Sequence, residues 1–256
     1  MKDVKVKGLI IGKGRPRIVS PVVGTDEDEI LKEAMELASN PYVEMLEWRS
    51  DKFAGSGDLE KIAELSSKVT EISKMKPIIF TYRTKSEGGE KDMSDDEYVE
   101  LMEFVSERTS FDIIDVDLLG RKGSERCIEA AHKNGKIVIG SSHDINGTPG
   151  SEEMIGKLVR MYDMGADIVK MVVKANCPED TLKLMAASAE IHKRSLCPIS
   201  TVCMSNVGMI TRICGEIYGS CLTYGFVRRS SAGGQIPVEK LSYVLNIVHK
   251  SLGDAQ

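Results

Sequence analysis

Two short stretches hold the residues best able to do chemistry: GSSHD, with His143, and ADIVKMVV, with Lys170 inside an apolar run. An ammonium in the middle of a buried strand loses its hydration, so it must be paired with an acid or give up its proton. A neutral amine is a nucleophile towards carbonyl carbon, and a histidine at the end of the preceding strand can carry protons near neutral pH. Together they suggest imine chemistry on a carbonyl substrate. Taken singly, each has a plainer reading: the lysine as an ion pair, the histidine as a satisfied strand-end group.

The elements that would position this pair follow from hydrophobic periodicity. Short β-branched runs recur as RIVSPVVG, YVEMLEWR, PIIFTYR, FDIIDVDLL, KIVIGSSH, DIVKMVVK, PISTVCM and CLTYGFV. Between them lie segments of helical period, including DEDEILKEAMELASN, LEKIAELSSKVTEISKM, DDEYVELMEFVSER and SEEMIGKLVRMYDMG. Acidic residues gather at several starts and basic residues at several ends, as the helix dipole prefers. Apolar strands alternating with helices imply a parallel sheet covered by helices, and eight such units suggest closure. We therefore expect an α/β fold, a (β/α)8 TIM barrel, with 1–256 as a single catalytic domain; an open doubly wound sheet is the alternative. The leading VKVKGLIIG run is expected to form a β-hairpin closing the barrel floor.

Composition narrows the partners. The 256 residues carry a formal charge of −5 with basic residues dispersed, which argues against nucleic acid. No apolar run approaches a membrane span, and the N-terminus lacks the pattern of a signal peptide, so we expect a cytoplasmic protein without membrane contact. The six cysteines have no CxxC spacing and read as buried free thiols.

In such barrels, catalytic groups come from the C-terminal ends of strands and the loops that follow. Those positions supply Glu47, Arg49, Arg83 with Glu87 beyond, Asp115, Asp117, His143, Lys170, Met204 and, after the last strand, the loop RRSSAGGQ. Asp115 and Asp117 are expected to orient neighbours, since nothing completes a metal set around them. Met204 is placed to pack over a substrate ring.

The blocks EWRSD at 47–51, FTYRTKSEGGE at 80–90, DVDL at 115–118, VIGSSHD ending at Asp144, ADIVKMVV, GMITRI around Arg212 and SSAGGQIP at 230–237 resemble, in that order, the type I 3-dehydroquinate dehydratase family. The resemblance implies a homodimeric barrel of the shikimate pathway, without metal or organic cofactor, dehydrating 3-dehydroquinate to 3-dehydroshikimate. It implies that Lys170 forms an imine with the ring ketone, that His143 moves the protons, and that Glu87 orients His143. It places Arg212, with Ser231 and Gln235, at the substrate carboxylate, where a planar guanidinium can bind two oxygens. Glu47, Arg49 and Arg83 would hold hydroxyls at the other end, with Ser20 on the first strand as a further contact. The loop 228–235 would close over the ligand, its Gly233 and Gly234 permitting the excursion.

Two positions depart from the family pattern: Ser142 precedes the histidine where an aromatic or amide is common, and Gly233 stands where proline is common. A class I aldolase is the alternative enzyme, and a barrel that binds without turnover is the non-catalytic one. Retention of both Lys170 and His143 argues against the latter.

Overall fold

The computed structural model describes residues 3–230 and 232–253. The chain opens with β1 (Val4–Val6) and β2 (Leu9–Ile11), an antiparallel pair in which Val4 faces Ile11. Lys7 and Gly8 between them both take positive φ, 43° and 78°, the conformation that lets a two-residue turn match the strand twist.

The alternation then begins: β3 (Arg17–Val22), α1 (Glu27–Ser39), β4 (Met45–Arg49), α2 (Leu59–Ser73), β5 (Ile78–Thr81), α3 (Asp95–Arg108), β6 (Ile113–Asp117) and α4 (Ser124–Lys133). It continues with β7 (Ile137–Asp144), α5 (Ser151–Asp163), β8 (Ile168–Lys174), α6 (Pro178–Arg194) and β9 (Ile199–Met204). Two single-turn helices, α7 (Ile210–Ile213) and α8 (Gly215–Tyr218), lead to β10 (Leu222–Phe226), β11 (Ile236–Pro237) and α9 (Val238–Gly253). Helix starts are locally encoded. Asp26 caps α1 by accepting from Glu29 N–H, and Ser94 with Glu97 forms a reciprocal capping box on α3.

All eight expected strands are present, and β3 to β10 run parallel, each hydrogen-bonded to the next from β10 through β3 round to β9. The remaining seam, β9 to β10, is narrower: Cys221 N–H donates to Ile199 O at 2.7 Å and Thr201 N–H donates to Ser220 Oγ at 3.0 Å. These contacts close the barrel, and the open-sheet alternative is set aside.

Strand alternation sorts side chains into two populations. Outward residues such as Ile18, Trp48, Phe80, Ile114 and Val169 pack against Ile30, Ile62, Val105 and Leu184 of the helices. Inward residues Val19, Met45, Ile79, Ile113, Ile139 and Ile168 form a second apolar cluster, joined by Val6 and Ile11 of the hairpin. The hairpin thus seals the floor, as expected. Two residues further along β4 to β8 the inward face turns polar, with Glu47, Thr81, Asp115, Ser141 and Lys170 all buried. Polar groups are confined to one mouth of the barrel because the other is filled and capped with hydrocarbon.

Candidate active site

A cavity of about 290 Å³ opens at this mouth, lined by Glu47, Arg49, Arg83, Glu87, His143 and Lys170 on one side and by Met204, Arg212, Tyr224, Gly233 and Gln235 on the other. Lys170 reaches it from the middle of β8. Its Nζ donates to Asp115 Oδ2 at 2.9 Å and to Glu47 Oε1 at 3.4 Å, and lies 4.8 Å from the centre of the Tyr224 ring. Burial alone would drive the Lys170 pKa down, but Asp115, Tyr224 and Glu47 together lift it above the ordinary lysine value. Of the two options that burial leaves a lysine, this one takes pairing, and the resting amine is charged.

Arg83 ties the lysine to the histidine. Its guanidinium, only 4% exposed, donates to Asp115 Oδ1 at 2.9 Å, to Glu87 Oε2 at 2.9 Å and to Ser141 Oγ at 3.1 Å. Glu87 Oε1 in turn meets His143 Nδ1 at 2.8 Å. Burial opposes the Glu87 charge, but Arg83 and then His143 outweigh it and hold the carboxyl at about 2. An ionised acceptor on Nδ1 assigns the hydrogen to that nitrogen, leaving the Nε2 lone pair free to take a proton. Burial first, then the positive charge of Arg83, pushes the His143 pKa down to about 4 against the pull of Glu87, so the resting imidazole is a neutral base.

The opposite end of the cavity is built differently. Arg212 on α7 is 2% exposed, yet among the described residues no carboxylate pairs with it. It donates through Nε to Gly234 O at 2.9 Å and through Nη2 to Gly233 O at 3.0 Å, both in the loop after β10. Burial without a counter-charge lowers its pKa to about 10. An unneutralised guanidinium facing a cavity is a site for an incoming anion.

Of the residues singled out from the sequence, Lys170, His143, Glu87, Glu47, Arg49, Arg83, Arg212, Gln235 and Met204 all line the cavity. Arg49 is also held by Asp51 in a two-pronged pair at 2.8 Å and 2.8 Å. Ser231 lies outside the described residues. Ser20 is not brought to the cavity. It shares the outward face of β3 with Ile18 and Val22, pairs in register with outward-facing Leu46, and lines a separate crevice with Glu33 and Glu36 of α1. A shift of one residue along a strand exchanges the two faces, and Pro21, opposite Glu47, holds the inward position. Asp115 proves an orienting residue, bonded to Lys170, Arg83 and, at 2.6 Å, the Ser141 hydroxyl. Tyr224 was not singled out. Its inward parity, two residues after inward-facing Leu222, is the signal that marks it.

A parallel barrel with a charged buried lysine, a carboxylate-oriented histidine and an anion-ready arginine at its C-terminal mouth belongs to the class of barrel enzymes acting on carbonyl acids. Residues 18–252 match the model of the type I 3-dehydroquinase family. The 3-dehydroquinate dehydratase of Clostridioides difficile strain 630 is 39% identical over 253 residues, covering 98% of this chain and 99% of that protein. That of Clostridium botulinum strain Eklund 17B is 40% identical, covering 97% and 98%. A crystal structure of the C. difficile type I enzyme with covalently modified comenic acid superposes with a TM-score of 0.93 at 39% identity, covering 98% of each chain. The chain belongs to the type I 3-dehydroquinase family.

Proposed function

We propose that this protein is a hydro-lyase of the shikimate pathway, dehydrating 3-dehydroquinate to 3-dehydroshikimate and water through an imine on Lys170. The observation that carries the reading is the placement of Lys170, the His143–Glu87 pair and the unpaired Arg212 around one cavity. Family membership favours it over a class I aldolase.

Arg212 takes the substrate carboxylate, with Gln235 beside it, while Glu47, Arg49 and Arg83 face the ring hydroxyls. Lys170 loses a proton before its nitrogen attacks the ketone, because the ammonium has no lone pair, and that proton is made up on the ketone oxygen as it departs as water. Loss of water from the adduct gives a protonated imine, which draws electrons from the adjacent carbon and acidifies its hydrogen. That imine is the electron sink, a part that a metal or organic cofactor plays elsewhere. Neutral His143, its ring fixed by Glu87, takes the proton from that carbon. The resulting imidazolium returns it to the hydroxyl leaving from the next carbon, and a conjugated double bond forms. Hydrolysis of the imine releases product and restores Lys170.

We read 1–256 as one catalytic barrel, working in the cytoplasm as a homodimer. No described helix is long and apolar enough to cross a membrane, and all six cysteines are free, which suits a reducing compartment. The dimer is carried over from the family resemblance. The activity is tested by mixing the purified chain with 3-dehydroquinate and following the ultraviolet absorbance of the conjugated product. A catalytic rise is expected; a flat trace at micromolar protein would reject the reading.

A further inference from the structure

Tyr224 presents an unanswered hydroxyl. The side chain is 7% exposed, points into the barrel from β10 and lines the cavity, but its Oη has no hydrogen-bond partner of ordinary geometry. Lys170 Nζ lies 4.8 Å from the ring centre, near enough for its charge to favour the phenolate against burial, but it does not satisfy the hydroxyl. A phenylalanine would fill the same space and give Lys170 the same ring, without a buried polar atom. Leaving such an atom unsatisfied is destabilising, so a hydroxyl kept there points to a partner that arrives with the ligand.

The position of the ring says which partner. Tyr224 lines the same cavity as Lys170 and Arg212, its ring centre 4.8 Å from Lys170 Nζ, and it acts electrostatically on both, so it is within reach of the ketone end and the carboxylate end of the site. In a substrate bound by those two groups, one ring carbon separates the imine carbon from the carbon bearing the carboxylate. That second carbon also carries the hydroxyl that departs. Burial keeps the phenol protonated, hence a donor.

Resting on the dehydratase reading, we propose that Tyr224 Oη donates a hydrogen bond to the departing hydroxyl of the substrate. The elimination itself is unchanged. The carbon–hydrogen bond next to the imine breaks to His143, its electrons form the new double bond, and the carbon–oxygen bond breaks as the oxygen takes the proton from the imidazolium. Tyr224 transfers no proton. It holds the leaving oxygen in line with the developing double bond and stabilises the charge that collects there.

The test compares wild type with Tyr224→Phe, which keeps the ring over Lys170. Turnover number should fall about tenfold, while borohydride still traps the Lys170 adduct at the wild-type rate. Two inhibitors isolate the contact: the substrate with its ketone reduced to an alcohol, which keeps the tertiary hydroxyl, and the product reduced likewise, which lacks it. Tyr224→Phe should weaken the first about five- to tenfold and leave the second within about twofold. Equal loss for both ligands, or loss for neither, would overturn the assignment. An inert wild type would instead reject the dehydratase reading, whereas an active wild type matched in turnover by Tyr224→Phe would reject the role of Tyr224 alone.

Discussion

The two ends of the cavity handle charge in opposite ways. Around Lys170 every ion is answered: Asp115 and Glu47 face the lysine, Arg83 bridges Asp115 and Glu87, and Glu87 holds His143. Around Arg212, among the described residues, the guanidinium meets only the carbonyls of Gly233 and Gly234 and no acid. The first end is finished before substrate arrives, as groups that must move protons along fixed directions require. The second is left incomplete, which suits the carboxylate binding proposed for Arg212, with the loop that touches the same guanidinium placed to respond to it.

Exchanging arginines breaks this comparison most directly. Arg83→Met takes away the cation that Glu87 and Asp115 share, leaving Asp115 only Lys170 and Glu87 no permanent cation, and is expected to cost about 3–5 kcal/mol of stability, read by denaturant unfolding. Arg212→Ala removes a buried charge that has no acid, so stability should hold while KM rises on the order of 100-fold. Equal stability losses in the two variants would erase the distinction.

Glu87→Gln probes the finished end through pH. The Glu87 charge raises the His143 pKa, and burial and Arg83 lower it. Removing that charge should therefore move the acid limb of kcat/KM to lower pH, and kcat should fall roughly 10- to 100-fold as the imidazolium loses its counter-charge. A limb that moved upward would contradict the arrangement.

Neighbouring glycines probe the incomplete end. Gly234 has φ +76°, and a Cβ there would meet Ser205 O at 2.4 Å, so Gly234→Ala should displace the loop and raise KM several-fold. Gly233 has room, its nearest neighbour to a Cβ being Ser205 Cα at 3.4 Å, and Gly233→Ala should be nearly silent in the same assay. The smallest effect belongs to Ser20→Ala, where kcat and KM should both stay within about twofold because the hydroxyl faces α1 rather than the cavity.

What was legible from residues alone follows from range. The strands were visible because β-branched runs and their flanking turns are local, and α3 matches the expected 95–108 because Ser94 and Glu97 encode its start. The resemblance brought Lys170, His143, Glu87 and Arg212 to one mouth. Ser20 was misplaced because parity on a strand is decided by which neighbour faces the core, and RIVSPVVG is apolar on both faces. The partners of Lys170 were out of reach because Asp115 and Glu47 lie 55 and 123 positions away, and only barrel register brings them within hydrogen-bonding distance. Tyr224 was passed over as one aromatic in an apolar run, its significance resting on a hydroxyl whose lack of a partner only packing reveals.

The central claim is that the charged, paired Lys170 is the residue that becomes covalently attached to substrate. Borohydride reduction of the enzyme in the presence of 3-dehydroquinate, followed by peptide mass mapping, tests it. A stable adduct is expected on the peptide containing Lys170, retained in His143→Ala, where imine formation outlives proton transfer, and absent in Lys170→Ala. Turnover that continues in Lys170→Ala, or an adduct mapped to another lysine, would contradict the account.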